Sequence, residues 1–216
     1  MILDRSQIVT CPFCRKQKEL ISVKSGDLYN ASCWSDDKIL VPLLPVVSPV
    51  QKCKRCGKYF LFHKQSTTKG DKESLVSGQI SYEEWKEAYL QFKEETDWDE
   101  ADIYVFHLSM IQAYNDHFYR GPAPIYYIEE KEPSIQEFYF FVEVVNSFLN
   151  SYDFASSAHN EILQAELLRE IAQFKKAEEI LHSIDILQLD DYGLNLYNRI
   201  LAKIKVKDKK VFKVFD

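Results

Sequence analysis

The chain has 216 residues, of which 46% are hydrophobic, so it can hold one sizeable core or a small module followed by a medium domain. Asp4 and Arg5 stand where a signal peptide needs an unbroken apolar stretch. The longest apolar run, residues 39–50, is too short to cross a bilayer and is interrupted by three prolines. These features predict a soluble, cytoplasmic protein with no membrane attachment.

The net charge of -6 is unevenly distributed along the chain. Residues 1–70 contain 12 Lys and Arg against 5 Asp and Glu, which gives +7. Residues 71–216 contain 15 against 28, which gives -13. Such asymmetry indicates an acidic partner for the first part, such as nucleic acid, or docking of the two parts on each other. Two separately solvated surfaces are the simpler alternative.

In chain order, the first chemical signal is a pair of C-x-x-C motifs. Cys11 and Cys14 lie in CPFC, and Cys53 and Cys56 lie in CKRC. In a chain without a secretory signal, two such pairs are typical of a four-cysteine zinc site, because each turn presents two thiolates to one edge of a tetrahedron. Four sulfur ligands leave no position for a reactive water, so the predicted Zn²⁺ is structural.

A redox role is the alternative for the first pair, because CPFCRKQ also resembles a glutaredoxin active site. That fold needs the pair at the start of a long helix within a βαβ unit, and only about ten residues separate Cys14 from Ser25 and Gly26. The second cysteine pair also favours metal over redox chemistry. The fifth cysteine, Cys33, is interpreted as a buried free thiol, with ligand exchange or redox sensing as alternatives.

Short apolar runs separated by polar turns predict β-hairpins around the cysteines. We therefore expect a zinc-ribbon-like module over residues 1–66 and a polar linker over 67–78. If this module binds nucleic acid, the candidate contacts are its cations and aromatic rings. The phosphate contacts would be Lys54, Arg55 and Lys58, and the stacking rings would be Trp34, Tyr59 or Phe60.

The remainder, 79–216, reads as an α-helical domain. Helix starts are predicted at three capping boxes, namely Ser81 with Glu84, Asp97 with Glu100, and Ser134 with Glu137. The helix after Ser134 is apolar on more than one face and is expected to be central. The complete chain is thus predicted to be α+β and mostly α.

The segment AELLREIAQFKKAEEIL, 165–181, resembles one tetratricopeptide repeat, because small and large residues alternate as they do where two such helices pack. One repeat alone is readable, so we expect a TPR-like helix hairpin near 160–188 rather than an array. The last residues, KDKKVFKVF, alternate polar and apolar residues and suggest a short terminal strand.

CPFC, the WSDD and VPLLP segments, CKRCGKYF, the YND of the second long helix and the TPR-like end together resemble a group of uncharacterised bacterial proteins. In that group an N-terminal zinc-ribbon-like part precedes a helical part. The resemblance implies this architecture and a bacterial, cytoplasmic setting, and it carries over the four metal ligands Cys11, Cys14, Cys53 and Cys56. It implies no activity.

Three function hypotheses follow. The favoured one is a protein-protein interaction adaptor with a structural zinc site. The alternatives are a nucleic-acid-binding protein that uses the basic zinc module, and an enzyme whose site is not visible in the sequence. Because the sequence contains no HExxH motif, GxxxxGK[ST] loop or Ser/His/Asp signature, the chain is not predicted to be an enzyme.

Overall fold

The computed structural model describes residues 2–3, 6–20, 23–25, 31–41, 47–69, 80–93, 97–120 and 131–215. Strands lie in the first part and six α-helices follow, so the predicted α+β, mostly α class is confirmed. The chain forms two compact units. The first contains residues 1–30 and 41–98, and the second contains residues 31–40 and 99–216.

The first unit is built from short antiparallel strands. Strand β1 (Ile2–Leu3) pairs with β4 (Val23–Ser25). Strand β2 (Gln7–Thr10) lies between β3 (Gln17–Leu20) and β9 (Thr67–Lys69). Strands β7 (Val50–Lys52) and β8 (Tyr59–Leu61) form a separate hairpin. Val9, Leu20 and Phe60 are buried between these strands together with two cysteines.

Helix α1 (Tyr82–Phe92) also belongs to the first unit. The side chain of Gln91 accepts from the backbone N–H of Tyr59 at 3.0 Å and donates to its carbonyl at 2.8 Å. Glu87 accepts from the Tyr59 hydroxyl at 2.5 Å and forms an ion pair with Lys52. These contacts attach α1 to the β7–β8 hairpin, whereas the sequence analysis assigned residues 82–92 to the helical domain.

The second unit is predominantly helical. Helix α2 (Glu100–Asn115) continues into one π-helical turn (Asp116–Arg120), and α3 (Ile135–Ser151) follows. Helices α4 (Ala158–Glu170), α5 (Phe174–Ser183) and α6 (Asp191–Lys205) then pack on one another in sequence. Short 3-10 turns lie at Phe154–Ser156 and Ile186–Gln188.

A β-hairpin from the amino-terminal third completes the second unit. Strands β5 (Ser32–Cys33) and β6 (Ile39–Leu40) pair, and the turn between them carries WSDD. The chain terminus runs along this hairpin, where Ser35 N–H donates to the Phe212 carbonyl at 2.9 Å and Val214 N–H donates to the Cys33 carbonyl at 2.8 Å. The predicted terminal strand is thus an isolated bridge between Trp34 and Lys213.

Local helix signals are reproduced with two exceptions. Ser81 caps α1 with Glu84, and Ser134 accepts from the Glu137 N–H at the start of α3. The cap of α2 is Asp99 with Asp102, two residues later than predicted. Helix α3 is not central, because it buries one face and exposes Ile135 and Tyr139.

The predicted linker of 67–78 also differs from the structure at its start. Thr67–Lys69 form strand β9 on the sheet of the first unit. The remainder of that segment, 70–78, and the VPLLP residues 42–45 lie outside the described residues.

Candidate metal centre

The two C-x-x-C motifs occupy equivalent positions in two hairpins. One strand ends at Thr10 and its partner begins at Gln17, while in the other hairpin the corresponding residues are Lys52 and Tyr59. We call the connecting segments 11–16 and 53–58 the first and second knuckle. Each knuckle has six residues, so the chain builds the same turn twice.

Matching hydrogen bonds hold the two knuckles. Cys11 N–H donates to the Lys16 carbonyl at 2.9 Å, and Cys53 N–H donates to the Lys58 carbonyl at 2.9 Å. In each knuckle the backbone N–H of the residue after the second cysteine donates to the carbonyl of the first cysteine. The donor is Arg15 at 3.0 Å in the first knuckle and Gly57 at 2.8 Å in the second. This turn requires positive φ, which is 61° at Arg15 and 73° at Gly57. Glycine adopts that conformation freely, whereas arginine does not.

The four knuckle cysteines form one cluster of sulfur atoms. The Cys11 and Cys56 sulfurs lie 3.8 Å apart, the Cys14 and Cys53 sulfurs lie 3.5 Å apart, and all four lie within 4.8 Å of one another. All four cysteines are free, so none is joined by a disulfide. The four cysteines that the sequence analysis named as ligands are therefore arranged to hold a metal ion.

Burial and hydrogen bonding act differently on the thiols. Burial opposes ionisation of Cys53, but the backbone N–H groups of Cys56 and Arg55 donate to its sulfur and lower its pKa to about 6. At Cys56 the Lys58 N–H favours the thiolate, yet desolvation and the neighbouring thiols raise its pKa to about 11. Four thiolates in one cluster repel one another, so a bound cation is needed to keep all four ionised at neutral pH.

Cations surround this cluster on the protein surface. Five exposed basic residues lie on the two knuckles, and none of the described carboxylates forms an ion pair with them. They are Arg15, Lys16, Lys54, Arg55 and Lys58. The three residues predicted as phosphate contacts, Lys54, Arg55 and Lys58, are thus accessible.

The predicted stacking rings are placed differently. Tyr59 and Phe60 are each only 3% exposed, so the hypothesis that they stack on bases is wrong. Trp34 lies in the second unit, where the Arg120 guanidinium packs over its ring. The accessible ring beside the metal cluster is Phe13, which is 50% exposed and lies under the Lys58 ammonium at 4.7 Å. The position of Phe13 in the turn between Cys11 and Cys14 could have indicated from the sequence that its ring is accessible.

The structure separates Cys33 from the other cysteines. Cys33 lies on β5 in the second unit, is half-buried rather than buried, and is a free thiol outside the four-cysteine cluster. A glutaredoxin-like redox site needs a helix that starts at the CPFC motif. Here a turn and strand β3 follow Cys14 instead.

The second unit contains a buried charge network that no motif in the sequence predicts. Arg120 binds Asp36 through two hydrogen bonds of 2.6 and 2.9 Å, and both side chains are fully buried. Asn115 donates to both Asp36 and Glu170 at 3.0 Å. The WSDD segment contributes Asp36 and the YND segment contributes Asn115. Nothing in either segment indicates which part of the chain it contacts.

The neighbours of each buried carboxyl group in this network determine the direction of its pKa shift. Burial opposes the ionisation of Asp36, but the Arg120 charge outweighs burial and lowers the carboxyl pKa. Glu170 is fully buried beside Glu166 and Asp36, and these surroundings raise its pKa well above the usual range. Because every partner named here lies within the unit, we assign the network to holding hairpin β5–β6 on the helices.

Searches of protein-family models, of curated proteins and of solved structures give no match to this chain. The resemblance to two-part bacterial proteins therefore stays a prediction. Among the described residues, no helix combines the length and the apolar character needed to cross a membrane. The four-cysteine cluster is thus the feature of the chain that carries the functional argument.

Proposed function

We propose that the four knuckle cysteines hold one structural Zn²⁺ and that the protein acts by binding a partner rather than by catalysis. The observation that carries this proposal is the sulfur geometry. With Zn–S bonds of about 2.3 Å, a tetrahedral site has sulfur–sulfur edges of about 3.8 Å. The distances of 3.5 and 3.8 Å between paired sulfurs suit this size.

The donor set supports zinc and a structural role. Thiolates are soft ligands, and a tetrahedral arrangement of four sulfurs suits zinc or an iron–sulfur centre. Four protein ligands fill the coordination shell of Zn²⁺, so no water can be bound and activated. The role left to the metal is to join the first knuckle to the second.

The surface of the knuckles supports a binding function. Their five exposed cations have no carboxylate partners among the described residues, which favours a negatively charged partner. The predicted adaptor function of the helical part, and the TPR-like character of the α4–α5 pair, stay predictions. A bacterial, cytoplasmic setting is part of the same proposal and rests on the sequence resemblance.

Elemental analysis of the purified full-length protein tests the metal assignment. We expect about one zinc per chain, with loss of the zinc in Cys53→Ser and its retention in the matched control Cys33→Ser. A folded protein without zinc, a protein that contains iron instead, or a Cys11–Cys14 disulfide would each contradict the proposal.

A further inference from the structure

A basic cleft lies beside the cysteine cluster in the first unit. Its volume is about 220 Å³, and its walls include Cys11 of the first knuckle and Cys53 of the second. Four of its eight lining residues are cations and none is acidic; the cations are Lys16, Lys18, Lys54 and Arg55. The accessible lining of the cleft is mostly apolar, so an anion is favoured here by the positive charge of these four side chains and not by a polar interior.

One cation of the cleft is held in place from inside the protein. Lys18 Nζ donates to the Gln51 side-chain oxygen at 2.7 Å. Gln51 is completely buried, and its amide nitrogen donates to the Ser48 carbonyl at 2.6 Å. Lys18 is therefore positioned at the wall of the cleft by a buried partner, unlike a freely rotating surface lysine.

The knuckles add further binding groups. Lys16 and Lys58 occupy the same position in the two equivalent turns, since each carbonyl accepts from the first cysteine of its knuckle. Phe13 presents half of its surface to solvent within the first knuckle. The first unit thus combines several point charges with an accessible aromatic ring.

We propose that this surface binds single-stranded nucleic acid, with phosphates on the exposed cations of the two knuckles and a base stacked on Phe13. This inference rests on the proposed function, because the zinc site joins the two knuckles that supply the cations. A row of cations with an exposed ring is the usual platform for single strands. Recognition of one phosphorylated side chain relies instead on clustered arginines, and the cleft contains one arginine and three lysines.

The test uses the zinc-loaded full-length protein and fluorescent oligonucleotides of about 12 nucleotides. Binding is measured by anisotropy over a range of salt concentrations for single-stranded RNA, single-stranded DNA and duplex DNA. We expect the single strands to bind more tightly than the duplex. Affinity should fall steeply as salt rises, because each neutralised phosphate of a single strand contributes a slope of about -0.7.

Two variants separate the phosphate contacts from the base contact. Lys16→Gln combined with Lys54→Gln and Arg55→Gln should reduce the salt slope by about 2. Phe13→Ala should weaken binding roughly tenfold and leave the salt slope unchanged. A matched triple variant of exposed lysines in the second unit, Lys175→Gln with Lys176→Gln and Lys205→Gln, should bind like the wild type.

Zinc content is measured on every sample, so the two proposals can fail separately. If the protein contains zinc but binds no oligonucleotide at low salt, the nucleic-acid inference is wrong and the metal assignment stands. Equal loss of binding in the two triple variants, or equal affinity for duplex and single strands, would also overturn the inference. A folded protein without zinc contradicts the proposed function, whatever it binds.

Discussion

The two units are stabilised by different chemistry. In the first unit, two of the five buried residues at the centre of the strand core are the cysteines Cys11 and Cys53. In the second unit, the five α-helices α2 to α6 bury large side chains, and Arg120 is paired with Asp36 at the centre. Thiols arranged to hold a metal thus take the place of some apolar side chains in the strand core of the first unit, whereas the second unit encloses ion pairs.

The largest effect should come from removing one metal ligand. Cys11→Ser should abolish zinc binding and unfold the first unit, because the apparent binding free energy of structural zinc is about 10–16 kcal/mol. That energy matches or exceeds the total stability of a typical domain. Near-ultraviolet circular dichroism together with the zinc content measures the change. If Cys11→Ser keeps one zinc and an unchanged near-ultraviolet spectrum, Cys11 is needed neither for metal binding nor for the fold of the first unit.

The second unit should instead depend on its buried ion pair. Asp36→Asn leaves the Arg120 charge without its main partner and should cost about 3–5 kcal/mol of unfolding free energy. Urea unfolding followed by far-ultraviolet circular dichroism measures this loss, while the zinc content stays at the wild-type value. The control is Glu179→Gln in the exposed pair with Lys175, where we expect a change within about 0.5 kcal/mol. Equal effects of the two variants would contradict the structural role of the network.

A smaller effect distinguishes the two knuckles within the first unit. Gly57→Ala adds a Cβ that meets no atom within 4 Å, so its cost is backbone strain at positive φ, about 1 kcal/mol. Arg15→Gly removes the same strain and should stabilise by a similar amount. Competition with a chelator should show about fivefold weaker apparent zinc affinity for the first variant and about fivefold stronger affinity for the second. Changes of the same sign would mean that the turns are not equivalent.

The smallest effect concerns a half-exposed pair in the second unit. His159 Nε2 donates to the Asp37 carboxylate at 2.8 Å, and this hydrogen bond raises the histidine pKa despite partial burial. A raised pKa means that the stabilisation is complete below about pH 6.5 and is lost as pH rises through the folded-state pKa. Because the His159 side chain is about half-exposed, solvent screens the pair and its contribution is at most about 1 kcal/mol.

Unfolding free energies at pH 5.5 and pH 8.5 test this assignment. His159→Gln should be less stable than the wild type at the lower pH and equal to it at the higher pH. His182→Gln, which changes an exposed histidine of α5, should match the wild type at both values. A uniform loss at both pH values would show that His159 contributes packing rather than charge.

Local patterns in the sequence predicted the metal ligands and the helix caps, whereas contacts between distant residues were not predicted. The spacing of Cys11, Cys14, Cys53 and Cys56 predicts four ligands because each turn is defined by adjacent residues. The caps at Ser81 and Ser134 also depend on residues three positions apart.

The division into units depends on contacts that no local pattern indicates. The β5–β6 hairpin joins the helical unit through Asp36, which meets Arg120 more than eighty positions later. Helix α1 joins the first unit through the amide of Gln91, a residue type that is equally common on exposed helix faces. A boundary drawn from composition at residues 67–78 cannot detect either pairing.

Hydrogen exchange of the full-length protein with and without a zinc chelator tests the comparison most directly. We predict that chelation removes protection from residues 6–20, 47–69 and 80–93. Residues 31–40 and 131–215 should keep their protection, although 31–40 lie between the two knuckles in the chain. Loss of protection in 31–40 together with the knuckles, or continued protection of the knuckles after the metal is removed, would contradict the proposed role of the metal.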